Sequence, residues 1–310
     1  MNMDEEIICD FKVTKERKKI WAYQLDMLKK FHDVCVENNL KYFLCGGSLI
    51  GAVRHNGYIP WDDDIDVGML RDDYEKFIKL FDKYFDKGTY FLSSSKTERL
   101  YPNGHAQIRN IQTTQFTKGD YVNLKAGKCC GIFMDIFPFD YCDIDDVKHF
   151  KEIKKLKSKS YKFLYWTFDC DKNILKRFIK KVLVKTFGSE KKNQQRIYDL
   201  DKVSSKYNND DTMKYLGSIS FSIDSKKCIY NKELFNEFEL HKFEDYEFYI
   251  PVRYDQILKT EYGNYMKFPD NKNINGSMHG DCYFDFNKSY EEYQKISKDE
   301  FKNLFKNLKY

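Results

Sequence analysis

Residues 42–77 read YFLCGGSLIGAVRHNGYIPWDDDIDVGMLRDDYEKF. The run Tyr42 to Cys45 is apolar and short, as a buried strand requires, and it ends at Gly46-Gly47-Ser48. Ser48 is placed to cap a short helix to about Arg54, and Gly57 and Pro60 punctuate the loop that follows. Asp62, Asp63, Asp64 and Asp66 come next, with Ile65, Val67 and Met69 between and after them. Alternate strand residues share a face, so a strand here gathers Asp62, Asp64 and Asp66 on one side and the apolar residues on the core side. Three like charges on one face repel, and a divalent cation reverses the sign of that interaction. The bland alternative is a solvated acidic loop. An EF-hand is excluded, because with Asp62 first in the loop Val67 falls at the obligatory glycine and Pro60-Trp61 precedes it in place of a helix. Gly-Gly lets a phosphate approach the backbone and the next helix offers free N–H groups. It is not a P-loop, since no Lys-Ser/Thr follows Gly51. The pattern predicts a metal-dependent phosphoryl-transfer site.

Working outward, Ile20, Leu25, Leu28, Phe31, Val34 and Cys35 recur at three- and four-residue spacing and predict one helix over 14–40. A second helix is expected over 72–86, and short strands near 89–93, 105–111 and 114–117. GIFMDIFPF, 131–139, predicts a strand apolar on both sides of Asp135. A lone carboxylate there is costly unless a metal or a core arginine such as Arg109 meets it. From Asp143 to about Tyr207 the pattern is helical and basic. Strands return near 215–222, 227–230 and 243–250, and Pro251 then opens a helix. The expected fold is α+β, a mixed sheet flanked by helices, with 1–142 as catalytic core, 143–211 as basic helical segment and 212–310 completing the cleft.

Of 310 residues 42% are hydrophobic and 33% charged, which fits a globular chain with a sizeable core. A net charge of +5 is too weak to imply nucleic-acid binding. The nine cysteines form no CxxC pair, which disfavours a zinc ribbon and suggests reduced thiols. There is no apolar leader and no run long enough to span a bilayer, so a cytoplasmic location is expected.

Strand, Gly-Gly-Ser, helix, Asp-x-Asp, then a later strand with one Asp is an order that resembles the nucleotidyltransferase superfamily. In detail, GGSLIGAVRHNGYIPWDDDIDVGM (46–69), IRN (108–110), GIFMDIFPFD (131–140) and VRYDQILKTEYGNYM (252–266) resemble the LicD family over residues 20–285. The resemblance implies that Asp64 and Asp66 are paired metal ligands and that Asp62 is a further acid of the cluster. It implies that Asp135 is a third ligand or the base for an attacking hydroxyl. Gly46, Gly47 and Ser48 then hold donor phosphate, Arg54 and Arg109 are phosphate candidates, and Tyr254 and Asp255 help close the pocket. Past Tyr265 the family's paired prolines are absent, and His279 alone remains of its C-terminal contacts. The implied reaction moves phosphocholine or a similar phospho-alcohol from a CDP-linked donor to a sugar hydroxyl of a surface glycan precursor. CMP is released, and one or two Mg²⁺ or Mn²⁺ ions are required.

Choline calls for an aromatic cage, and the chain has ample Tyr and Trp, including Trp61 beside the acids. Lys154, Lys155, Lys157, Lys159 and Lys162 lead into Phe163-Leu164-Tyr165-Trp166, and Lys176, Arg177, Lys180 and Lys181 follow. Such a segment suits peripheral contact with an anionic membrane or, more simply, a solvated basic face. The rival functions are a metal-dependent glycosyltransferase and a non-catalytic glycan-binding protein.

Overall fold

The computed structural model describes residues 2–168, 173–221, 228–268, 282–306 and 308, in an α+β fold. The chain opens with a hairpin, β1 (Glu6–Ile8) and β2 (Phe11–Val13), whose turn residues Cys9 and Asp10 both have positive φ. This hairpin gave no sequence signal, because two three-residue strands are too short for a period to show. Helix α1 (Lys15–Glu37) starts where the Thr14 side chain accepts from Arg17 N, and it buries the predicted stripe from Ile20 to Cys35.

The next block runs β3 (Phe43–Leu44), α2 (Gly46–His55), β4 (Asp66–Leu70), α3 (Arg71–Tyr84), β5 (Tyr90–Ser93), β6 (Ala106–Asn110), β7 (Thr114–Thr117), α4 (Tyr121–Lys125) and β8 (Ile132–Cys142). Three helices follow, α5 (Val147–Phe168), α6 (Ile174–Phe187) and α7 (Glu190–Ser204). Then come β9 (Tyr215–Gly217), β10 (Ile229–Asn231), β11 (Phe238–Phe243), β12 (Tyr246–Pro251), α8 (Tyr254–Tyr262), β13 (Cys282–Asp285) and a short helix, Lys298–Asn303. The single strand expected over 243–250 is instead the β11–β12 hairpin. Glu244 turns the chain with φ 54°, and its backbone N–H is held by Asn56 O at 2.8 Å.

Strand β8 is the spine of the main sheet. On one side it runs parallel to β4, with Asp66 opposite Asp135 and Leu70 opposite Phe139. On the other it is antiparallel to β6 over Ile132–Ile136 and to β9 over Asp140–Cys142. Pro138 sits in mid-strand, where proline usually removes a ladder bond. Here Asp135 N donates to Ile65 O on the β4 side, so by alternation the position of the missing N–H at Pro138 faces the gap between β6 and β9. The break in that edge is what admits the proline. The largest apolar cluster joins α1, β3, β4, β8, the β11–β12 hairpin and α8. Arg71 ties α3 to the sheet and to α7: its Nε and Nη2 meet both oxygens of fully buried Asp140 at 2.8 and 2.6 Å, and Nη1 meets Asp201 at 2.7 Å.

Two local expectations are corrected. Residues 62–65, with three of the acids, are not strand: β4 begins at Asp66. Side chains of α1 claim the carbonyls that a strand would pair. Arg17 and Trp21 donate to Asp62 O at 2.9 and 3.0 Å, and Gln24 to Asp63 O at 2.7 Å. Nor does Ser48 cap α2. The cap is Cys45, which offers no side-chain bond, and Ser48 Oγ accepts from Asp66 N at 2.9 Å, pinning the helix to the start of β4.

Candidate active site

The acids converge although they do not share a strand face. One oxygen from each of Asp64, Asp66 and Asp135 lies within 4.8 Å of the others, and the same holds for Asp62, Asp63 and Asp64. Asp66 and Asp135 meet because they are opposite residues of the parallel β4–β8 pair, whose side chains project to one face. Asp64 reaches them from the irregular segment that α1 props open. Burial raises the Asp64 carboxyl well above its usual range, and Asp66, Asp62, Asp63 and Asp135 push it the same way. Three clustered carboxylate oxygens are a hard donor set of the kind that holds Mg²⁺ or Mn²⁺.

The N-terminus of α2 abuts this cluster. Gly46 has φ 54°, and a Cβ there would stand 2.9 Å from Asp66 Oδ2; at Gly47 it would stand 2.5 Å from Asp62 Oδ2. Only glycine allows the acids so close to the first turn, where backbone N–H groups have no helical acceptor. The place where an anion is favoured thus lies directly against the place where a cation is favoured.

The other sequence candidates spread out. Arg54 is eight residues along α2 from Gly46, about 12 Å at 1.5 Å per residue. It donates to Tyr265 O at 2.6 Å and lies over the rings of Trp61 and Phe268, at 5.9 and 5.0 Å. Trp61 therefore faces Arg54 and Phe268, not a cage at the acids. Its neighbour His55 accepts from Arg54 Nε at 2.9 Å, and burial together with that guanidinium lowers the imidazole to about 4. Arg109 does not pair with Asp135. It donates to Gly131 O and Gln107 Oε1 and lies 4.7 Å over the Phe133 ring, in a separate cavity. Tyr254 and Asp255 begin α8, with Asp255 held by Lys259 and by the Tyr265 hydroxyl. It is the far end of α8 that reaches the site. His279 lies outside the described residues.

The structure adds residues that sequence reasoning passed over. Asp63 joins Asp62 and Asp64. His105 Nε2 stands 3.0 Å from Asp135 Oδ1, an ion-pair distance without hydrogen-bond alignment. His105, Gln107 and Arg109 alternate along one strand stretch, and that two-residue period is the signal that could have put this histidine on the same face as Arg109. Glu261 and Tyr262 follow Tyr254 and Asp255 by seven residues, two helical turns on the same side.

Beside Asp66 and Gly46 lies a cavity of about 140 Å³ lined by Phe137, Phe139, Phe221, Tyr230 and Tyr262, with Glu261 as a further carboxylate. Phe137 and Phe221 are 4.8 Å apart, and Phe139 stacks on Tyr230 at 6.3 Å. The Tyr230 hydroxyl donates to Glu261 Oε2 at 2.6 Å. Burial and the charge of Glu261 push both Tyr230 and Tyr262 up. Among the described lining residues there are carboxylates and rings but no Lys, Arg or His.

Comparison with known proteins bears on this arrangement. The family described as LicD/FKTN/FKRP, nucleotidyltransferase domain, matches residues 39–163. A lipopolysaccharide cholinephosphotransferase LicD of Haemophilus influenzae is 30% identical over 256 residues, 79% of this chain and 89% of that protein. An uncharacterised protein of Rickettsia typhi is 40% identical over 73 residues, 24% of this chain and 23% of its own. The human ribitol 5-phosphate transferase FKRP is 53% identical over 34 residues, 11% of this chain and 7% of that protein.

Proposed function

The chain belongs to the LicD family, and from that premise we propose that it transfers phosphocholine from CDP-choline to a sugar hydroxyl of a glycan, releasing CMP. The observation that carries the reading is the meeting of Asp64, Asp66 and Asp135, from two distant segments, against the open N-terminus of α2. Asp64, Asp66 and Asp135 would hold Mg²⁺ or Mn²⁺, which when bound supplies Lewis-acid neutralisation of diphosphate charge. The N–H groups at Gly46 and Gly47 receive phosphoryl oxygens and orient the diphosphate. The acceptor oxygen bonds to the distal phosphorus while the bond from that phosphorus to the bridging oxygen breaks, and CMP departs with the electron pair. Asp62, outside the three-ligand group and next to it, takes the hydroxyl proton.

The aromatic cavity beside Asp66 favours choline over a polyol. A trimethylammonium group gains from ring faces and from Glu261, whereas the hydroxyls of ribitol or glycerol would meet mostly carbon there. A nucleotide-sugar glycosyltransferase would share the acids, but the carboxylate-bearing aromatic box would have no part in it.

Helix α6 supports peripheral contact with an anionic membrane. Leu175, Phe178, Ile179 and Val182 form one exposed stripe at helical spacing, with Leu175 66% and Phe178 64% exposed, and Lys176 and Lys180 lie beside it. Among the described residues no helix is long and apolar enough to cross a bilayer.

The test is CMP release and product mass with CDP-choline, Mg²⁺ or Mn²⁺ and a panel of glycan acceptors. Asp64→Asn and Asp135→Asn should each lower kcat at least about 100-fold with the melting profile kept. Unchanged turnover in both variants, or turnover with UDP-sugars alone, defeats the reading.

A further inference from the structure

Asp135 has a second cavity on its other side. Along β8 the residues Phe133, Asp135 and Phe137 share one face, and Phe137 lines the aromatic box. Phe133 lines a different cavity of about 250 Å³. Gln107, which also lines it, is directly opposite Asp135 in the β6–β8 pair, so the space opens one strand from the acid.

This cavity differs in chemistry from the aromatic box. Its walls carry two cations, Arg109 and Lys128, and two carboxylates, Glu98 and Asp120, so the formal charges cancel. Among its polar atoms buried without a hydrogen-bond partner are Glu98 Oε2, Gln115 Oε1 and Arg109 Nε. Two of these accept and one donates. Lys128 is only 4% exposed, its ammonium 5.4 Å over the Tyr101 ring, and burial lowers it to about 8. Leaving buried donors and acceptors unmet costs about 1–3 kcal/mol each, so such a set is kept for something that meets it. A diphosphate calls for a net positive wall, and this wall is neutral. A sugar ring presents hydroxyls that both donate and accept, and a ring face that packs on Tyr101 and Phe133.

We infer that the cavity bounded by Glu98, Gln107, Arg109, Gln115 and Lys128 is the subsite for a neutral sugar ring of the acceptor. The inference rests on the transferase reading and gives it the second substrate's position. The ring sits on the Phe133 side of Asp135 and the donor's head group on the Phe137 side, which lets a ring hydroxyl approach the phosphorus from across the acids.

The experiment uses the full chain and saturation-transfer NMR. The probes are methyl α-glucoside, methyl β-galactoside and methyl N-acetyl-β-glucosaminide, with CMP and Mg²⁺ as the second ligand. At least one glycoside is expected to bind, and Gln115→Leu and Lys128→Met should weaken it at least tenfold while CMP stays within twofold. Failure of all three glycosides to bind overturns the inference, as does glycoside binding unchanged in both variants or tenfold weaker CMP with glycoside unaffected. Should Lys128→Met fail to fold, Gln115→Leu alone decides. Magnesium-dependent CMP binding by the unaltered chain is read separately, and its absence counts against the transferase reading whatever the glycosides do.

Discussion

Replacing Glu261 by Gln isolates the head-group preference from the rest of catalysis. Gln keeps the shape, and its Oε1 can still accept the Tyr230 hydroxyl, so the box should stay assembled. What is lost is one charge facing a quaternary ammonium. At a separation of roughly 5 Å and an effective dielectric of about 20, that charge is worth about 3 kcal/mol. Glu261 is partly exposed, so solvent screening lowers the figure to about 1–3 kcal/mol, or roughly a 5- to 150-fold rise in KM for CDP-choline. The rings remain, and each still contributes about 0.5–2 kcal/mol of cation–π attraction, so binding weakens without vanishing. The assay is initial-rate CMP release with CDP-choline, CDP-ribitol and CDP-glycerol under one metal concentration. KM should rise for CDP-choline alone, narrowing or reversing the preference among the three. An equal rise for all three donors, or none for CDP-choline, refutes the assignment of this cavity to the ammonium group.

Arg71→Met should cost about 3–5 kcal/mol, because fully buried Asp140 loses its two-pronged partner. At about 2.1 cal/mol/K per residue that is a fall of about 5–8 °C in Tm, and a fall under 1 °C would contradict it. His55 stays neutral in the fold down to about pH 4, while in the unfolded chain it takes a proton near 6.5. The unfolded state therefore binds more protons between those values, and stability is lost as pH falls from 6.5 to 4. His55→Gln should flatten the dependence of Tm on pH in that window. Leu175→Glu with Phe178→Glu should abolish co-flotation with phosphatidylglycerol vesicles and leave turnover on water-soluble substrates unchanged. Flotation that persists in the double variant would show that α6 is not the contact.

Elements set by local pattern could be read directly. The three- and four-residue spacing from Ile20 to Cys35 produced α1, and the lone Asp135 in an apolar run identified the β8 segment. What stayed hidden was decided by residues far apart in the chain. The segment 62–65 leaves strand geometry because Arg17, Trp21 and Gln24, some forty residues earlier, take its carbonyls. Arg109 looked like the partner of Asp135, yet register puts Gln107 opposite that acid and sends Arg109 to Phe133. The aromatic box draws on Phe137, Phe139, Phe221, Tyr230 and Tyr262, none distinctive alone in a chain with 24 Tyr and 26 Phe. The start of α8 held the recognisable dipeptide, but the helix delivers its other end.

Because Phe133, Asp135, Phe137 and Phe139 are successive teeth on one rigid strand, β8 works as a ruler with marks about 6.6 Å apart. On the proposed reading, the marks on either side of Asp135 can be re-cut to admit a new alcohol or a new glycan while the acid between them keeps its place. Inserting a single residue ahead of Phe133 and shifting the strand by one would turn every mark to the opposite side at once. Diversification of such enzymes is thus open at the ends of the scale and closed at its zero.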